Sequence, residues 1–416
     1  MVQKKNLYHK SRYYRARKRQ IQKRLFIAGG ILVLLSGGLL IRSCVSHKSA
    51  AVSSKTVQLK KDAEAESSKN NSNTKETSAT VHKEPVSLTI SVVGDCTLGT
   101  DEEFDYDTSL NAYYDNNGAD YFFANVRDIF KADDLTIANF EGTLTDSEER
   151  EDKQFAFKAP ASYADILTSG SIEAVNTANN HSHDYGEQSF EDTLKALDAD
   201  NIIHFGYDET AVTEVKGVKI GLIGIYELND HLGREEQLKN NIQQVKEAGA
   251  ELVIVIFHWG NEKEEVPDEN QKTLGHMAID LGADLVCGHH PHVLQGIEEY
   301  KGKNIVYSLG NFCFGGNAYP SDMDTMIFQQ TFTVDQTGVK NDNVTNIIPC
   351  SISSASDYNN YQPTPAKGDE ATRILDKIQE RSSWISTSSD SVSDTESDED
   401  TPPTDSEETD DSEEES

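Results

Sequence analysis

Beyond Arg381 the chain has no lysine or arginine, and residues 1–24 contain no aspartate or glutamate. The same first 24 residues carry ten lysines or arginines, whereas the last stretch is mostly Ser, Thr, Asp and Glu. Tails of opposite sign flank a core without specifying its fold. Cysteine is scarce, at five in 416 residues (Cys44, Cys96, Cys287, Cys313, Cys350), with no CxxC and no dense spacing. That argues against a disulfide scaffold. Cys96, Cys287 and Cys313 follow or interrupt apolar runs and read as small buried hydrophobes. No Walker loop and no GxGxxG is present, so nucleotide-driven chemistry has no support. GxSxG is also missing, and "SLGN" offers a serine no obvious base.

The basic N-terminal block runs into "LFIAGGILVLLSGGLLI", residues 25–41, seventeen residues without a charge. That length is at the short edge of a membrane-spanning helix, and Lys23 and Arg42 can snorkel to extend it. The expected order is a basic cytoplasmic segment 1–24, a single-pass transmembrane helix 25–42, and everything later outside the cell membrane. A nucleic-acid role for the basic end fits poorly with this continuation. A cleaved signal peptide is opposed by the long basic lead and by "IRSCVSH", which lacks a small-x-small site. Lipid attachment at Cys44 is opposed by Arg42. Residues 43–85, rich in Ser, Lys, Asn, Thr and Glu, cannot bury enough apolar surface to offset ordering entropy and are expected to form a disordered linker.

From "VSLTISVVGD" onward, short apolar runs alternate with segments whose apolar residues recur at three and four. Strands are predicted at Leu88–Val93, Leu135–Asn139, Ala174–Thr177, Ile202–Phe205, Lys219–Ile225, Leu252–Phe257, Asp284–Cys287 and Ile305–Ser308. Helices are predicted at Tyr121–Phe130, Ser162–Leu167, Glu187–Asp198, Glu235–Ala248 and Glu269–Leu281. Strand and helix in repetition specify an α/β domain whose sheets are covered by helices. Its expected extent is 86–355. A connector with one short helix (Asp369–Arg381) follows over 356–385, and an acidic disordered tail over 386–416.

What ends each strand is informative. Asp95 follows the first, Glu141 the second, and "ANNHSHD" with Asn180, His181, His183 and Asp184 the third. His258 and Glu262 follow a later one, "GHHPH" with His289, His290 and His292 the next, and Asn311 the last. Ligand sites in α/β sheets form outside the carboxyl ends of strands. Singly, each residue has a plain structural role, such as an Asx turn, a helix cap or a satisfied core histidine. Six such deliveries to one edge point instead to a site. Carboxylate, carboxamide and imidazole without thiolate suit Mn²⁺, Fe²⁺ or Zn²⁺. Asp95, Glu141, Asn180, His181, His258, His290 and His292 exceed what one tetrahedral ion needs. One or two divalent ions are therefore expected, with spare groups for acid–base work. Candidate catalytic groups are His181 or His183, as proton donor to a leaving group, and Glu262.

"SVVGDCTLGT", "ANFEGTLT", "NTANNHSHDYG", "FHWGNE", "GADLVCGHHPHVLQGIE" and "VYSLGNFCF" resemble, in order, the motif series of the CapA family of poly-γ-glutamate capsule biosynthesis proteins. Such proteins look like divergent members of the calcineurin-like metallophosphoesterase fold, a two-sheet sandwich flanked by helices (αββα). The resemblance implies that Asp95 stands for the first-motif aspartate and Glu141 for the bridging aspartate. Asn180 and His181 stand for the third motif, His258 for the lone histidine, and His290 with His292 for the final His-x-His. His290 is preferred over His289 because Pro291 fixes the His-x-His geometry. The chain departs from the pattern at the first motif, Asp-x-His, where Cys96 and Thr97 follow Asp95 and remove one imidazole. The implied role is in synthesis or export of an anionic surface polymer, poly-γ-glutamate, beside its synthase complex at the membrane and without nucleic acid. A metal-dependent hydrolase or transferase and a non-catalytic polymer-binding accessory are both open.

Overall fold

Apolar residues run unbroken through most strands because helices cover both sheets. The computed structural model describes residues 56–58 and 84–389. The expected segments 1–24 and 25–42, and all of the acidic tail past Ser389, lie outside the described residues. Among those described, no helix is long and apolar enough to cross a membrane.

In chain order the main strands are β1 (Val86–Thr97), β2 (Leu135–Glu141), β3 (Ala174–Asn176), β4 (Ile203–Phe205) and β5 (Ala211–Val215). They continue with β6 (Val218–Tyr226), β7 (Leu252–His258), β8 (Leu285–His289), β9 (Ile297–Tyr300) and β10 (Lys303–Val306). The last are β11 (Asn311–Phe314), β12 (Asp324–Asp335) and β13 (Val344–Ser351). One sheet has the order β13-β12-β1-β2-β3-β4, with β11 paired to β1; the other has the order β5-β6-β7-β8-β10-β9. Strands β1 to β4 are mutually parallel, as are β6, β7, β8 and β10. Their carboxyl ends therefore emerge together. A short strand, Thr56–Gln58, pairs with β5 inside the segment expected to be an unstructured linker.

The sheets face each other across one apolar layer. Leu88, Ile90, Val92 and Ile137 from the first meet Ile220, Leu222, Ile254 and Leu285 from the second. The outer face of the first sheet packs on α1 (Leu110–Asn117), α2 (Arg127–Phe130), α3 (Ala164–Gly170) and α4 (Glu187–Ala199) through Phe123, Phe130, Ile166 and Leu197. The second sheet packs on α5 (Glu235–Glu247) and α6 (Glu269–Asp280) through Leu238, Ile242 and Leu274. The order of layers is helix, sheet, sheet, helix. The helix expected over Asp369–Arg381 runs further, as α7 (Gly368–Ser389). It is part of the domain: Ile374 and Ile378 enter the layer between the sheets.

Two differences from the sequence reading have clear causes. The helix predicted over Tyr121–Phe130 breaks into a 3₁₀ turn (Ala119–Tyr121) and the single turn α2. Tyr121 packs on Tyr113 and Phe122, while Phe123 and Phe130 both pack on Phe312, so tertiary aromatic packing rather than one continuous helix sets the path of this stretch. Strand β11 was not predicted because it is short, but its register pairs Asn311 with Asp95.

Candidate metal centre

The parallel register sets the polar residues side by side. Asp95 is level with Asn139, Thr97 with Glu141, Asn139 with Asn176, and His258 with His289. A register shift between Val92 and Asp95 marks a bulge in β1, a device that re-aims a side chain at a strand end. The turn before β11 is pressed onto this bulge: Asp95 N donates to Gly310 O at 2.9 Å. A Cβ on Gly94 would stand 2.1 Å from that same oxygen, so only glycine fits there.

Asp95 is fully buried, and Asn139 Nδ2 donates to its Oδ1 at 2.9 Å. His292 Nδ1 lies 3.1 Å from Asp95 Oδ2, and His289 Nδ1 lies 3.2 Å from Oδ1. The His289 contact is an ion-pair approach without hydrogen-bond alignment. Glu141 accepts from Thr97 Oγ1 at 2.7 Å through Oε2, while its buried Oε1 has no hydrogen-bond partner and lies 3.8 Å from His258 Nε2. His258 Nε2 is 2.8 Å from Asn180 Oδ1, and its Nδ1 is 3.2 Å from Asn139 Nδ2. The His290 ring sits 4.8 Å from that of His258, with Nδ1 buried and unpartnered. His290 and His292 hold left-handed backbone, at φ 95° and φ 56° on either side of Pro291, an uncommon conformation for such residues. It turns both rings back over the strand ends.

Electrostatics follow from this crowding. Burial would raise the Asp95 carboxyl, but His289 and His292 prevail and hold it well below the usual range. Burial, and then the charge of Asp95, push Glu141 up. Burial and the adjacent His290 push His258 far down. His290 is pushed down to about 3 by burial and then by His292. Burial opposes protonation of His292, yet Asp95 and then Glu141 raise it to about 9.

Ligand atoms of Asp95, Glu141 and His292 lie within 4.8 Å of one another, a spacing that could hold a metal ion. The orphaned Glu141 Oε1 is an acceptor with no donor, which a cation would satisfy. His258 Nε2 lies 3.8 Å from Glu141 Oε1 and is itself paired with Asn180 Oδ1, so both are further donor groups beside Glu141. Two carboxylates, imidazole and carboxamide form the intermediate donor set that suits Mn²⁺, Fe²⁺ or Zn²⁺. Cys96 is no substitute for the missing imidazole. It faces the apolar layer below α1 to α3, and burial pushes its thiol above its ordinary value.

Of the candidate residues, Asp95, Glu141, Asn180, His258, His290 and His292 are brought together. His181 lines the adjoining cavity of about 200 Å³ with Glu141 and His292, and Glu262 is exposed at its rim. His183 is not brought there: its ring stacks on Phe190 at 4.6 Å, close to Tyr207. The i, i+2 spacing sends it out of the turn that turns His181 inward. Larger hollows, of about 540 and 560 Å³, lie along α7 but gather no comparable set of orphaned groups. Sequence reading missed Lys153, whose Nζ donates to Asp184 Oδ1 at 2.5 Å and to Asn180 O at 2.7 Å, and so ties down the loop of His181. Lys153 lies far along the loop after β2, well past the strand end that singles out Glu141, so no positional signal pointed to it.

A family model described as "Bacterial capsule synthesis protein PGA_cap" matches residues 89–316. The chain is 33% identical over 251 residues to the PGA biosynthesis protein CapA of Bacillus subtilis (strain 168), covering 55% of this chain and 63% of that one. It is 31% identical over 259 residues to the capsule biosynthesis protein CapA of Bacillus anthracis, covering 56% and 61%. It is also 26% identical over 211 residues, 43% of this chain and 55% of that one, to a probable polyglutamine synthesis accessory protein of Mycobacterium tuberculosis (strain CDC 1551 / Oshkosh). The chain therefore spans less than two thirds of the length of these relatives.

Proposed function

The chain belongs to the bacterial capsule synthesis protein (PGA_cap) family, and on that premise we propose that it takes part in making a poly-γ-glutamate surface polymer through a divalent-cation site. The observation that carries the reading is the convergence of Asp95, Glu141 and His292 within 4.8 Å around an unpartnered buried carboxylate oxygen. Asp95, Glu141 and His292 would hold one cation, and Glu141, His258 and Asn180 would hold a second if two bind. A cation held there supplies Lewis acidity toward a carbonyl or phosphoryl oxygen, the chemistry of a hydrolase or transferase. His181 engages Asp184 Oδ2 through Nδ1 at 2.9 Å, which leaves Nε2 as the nitrogen free to exchange a proton in the cavity. Asn139 holds Asp95 and His258 in place from below, anchored in turn by Asn176 Nδ2 at 2.8 Å.

The proposed setting is outside the cell, with residues 25–42 as a single-pass anchor beside the polymer's synthase complex. Thr97, which stands where an imidazole would complete the first motif, favours a second reading: a cation site that binds the anionic polymer without turning it over. The experiment is metal analysis of the purified protein with turnover assays on phosphoesters and γ-glutamyl peptides. Stoichiometric Mn²⁺, Fe²⁺ or Zn²⁺ with turnover supports the first reading, and metal-dependent polymer binding without turnover supports the second. A protein that binds no divalent cation removes both.

A further inference from the structure

His292 stands at φ 56°, a conformation that persists only where its surroundings hold it. The holders can be named in order along the chain. Asn311 Nδ2 donates to His292 O at 3.3 Å, and Ser308 Oγ donates to Val293 O at 2.7 Å. The next carbonyl, Leu294 O, accepts from Arg381 Nη1, on α7. Arg381 is only 4% exposed, and its Nη2 donates to Glu265 Oε1 on the loop that follows His258. One guanidinium thus ties the His292 segment to the loop after His258. Its planar fork suits it to bind two acceptors at fixed angles.

Independent contacts show the same seating. A Cβ on Gly296 would stand 2.6 Å from Arg381 O, so the helix backbone lies directly against residue 296. Ser382 Oγ accepts from Ile297 N at 2.9 Å. Residues 381–385 of α7 therefore grip 294–297 by a side chain, a hydroxyl and close backbone packing. Helix α7 lies beyond the residues matched by the family model, which end at 316.

We propose that Arg381 is a positioning residue for the candidate cation site: from α7 it fixes the backbone that presents His292 to Asp95. Arg381 touches no ligand atom of the site and acts through Leu294. The inference rests on the cation reading above only for its metal arm; the backbone arm stands without it.

The test compares full-length Arg381→Ala, Arg381→Lys and Ile378→Ala. Ile378, one turn earlier on the same helix, is buried in the same apolar layer as Leu294 and makes none of the hydrogen bonds that hold 294–297. Amide hydrogen exchange over 290–297 is followed in metal-free protein, and Mn²⁺ affinity by calorimetry. Arg381→Ala is expected to speed exchange over 290–297 and weaken Mn²⁺ binding by about tenfold, the lower range for loss of a residue that orients a ligand. Arg381→Lys, which keeps one donor toward Leu294 O, recovers part of both. Ile378→Ala lowers the melting temperature without either effect. If Arg381→Ala behaves like Ile378→Ala, with unchanged exchange at 290–297, the proposal is overturned. A parent protein that binds no Mn²⁺ defeats the cation reading, and the exchange result then decides the role of Arg381 by itself.

Discussion

Thr97 donates to one oxygen of Glu141 at 2.7 Å while the other, Oε1, has no hydrogen-bond partner and faces His258 Nε2 at 3.8 Å. A half-satisfied buried carboxylate beside a second one is unfavourable without a cation. Glu141→Gln removes that charge and keeps the shape. The metal-free variant should be more stable than the parent by about 1 kcal/mol, as expected when a strained site is relieved. The same variant should lose the melting-temperature rise that Mn²⁺ or Zn²⁺ gives the parent. Paired thermal melts with and without metal read both effects. A variant that is less stable without metal would contradict the cation-site reading of Glu141.

Gly94 and Gly310 form the tightest backbone approach beside Asp95. An alanine methyl at 94 would meet Gly310 O at 2.1 Å, closer than any relaxation of a flexible side chain could relieve. Gly94→Ala should cost about 3 kcal/mol, the upper range for overpacking a well-filled interior. Because Asp95 N is bonded to that carbonyl, the strain also displaces the carboxylate. Urea unfolding should show the loss, and metal titration should show weakened binding in whatever folded protein remains.

The layers and the site were legible for one reason: parallel strands end in the same direction, so the residues after each apolar run meet at a common edge. Asp95, Glu141, His258 and His292 could be chosen that way because β1, β2 and β7 are long and apolar, and the short apolar β8 runs straight into the histidine cluster. What lay beyond reach was anything decided within a turn. Nothing in "NNHSHD" says that His181 faces the cavity and His183 faces Phe190, since that depends on the path of one loop. Lys153 and Arg381 were invisible because each reaches the site's supports from a segment distant in sequence, by 31 residues to Asp184 and 87 to Leu294. The length of α7 was underestimated because its Ser-rich last turns have weak helical character, and packing of Ile385 holds them.

The two histidines of that loop give a clean comparison. His183→Ala removes a ring stacked on Phe190 and half-exposed near Glu187, and should leave metal affinity and any turnover within about twofold, as for surface changes away from a site. His181→Ala should keep metal binding close to the parent. If the protein turns over substrate, it should lose about 100-fold or more in kcat, the range for a positioned proton-transfer group. Steady-state kinetics alongside metal titration separate these effects. Equal loss of turnover in the two variants would remove His181 from the proposed role.

Asp324 anchors α7 and gives the domain a specific response to acid. Arg373 bonds both its oxygens, at 2.5 and 2.7 Å, and Lys377 joins them. Burial opposes ionisation of Asp324, but Arg373 and Lys377 prevail and hold its carboxyl below the ordinary value. A carboxyl depressed by folding stabilises the native state above the unfolded-state value and loses that contribution as pH falls through the native one. The Arg373 side chain is 53% exposed, so water and salt screen much of the pair, and Asp324→Asn should cost only about 1 kcal/mol at pH 7. That gap between parent and variant should shrink progressively below about pH 4, where the unfolded chain's aspartates protonate. Urea unfolding at pH 7 and at pH 3 measures it. A gap that stayed constant with pH would mean that packing of the 324 side chain, rather than its charge, holds α7 in place, and the acid sensitivity would then have to arise elsewhere in the domain.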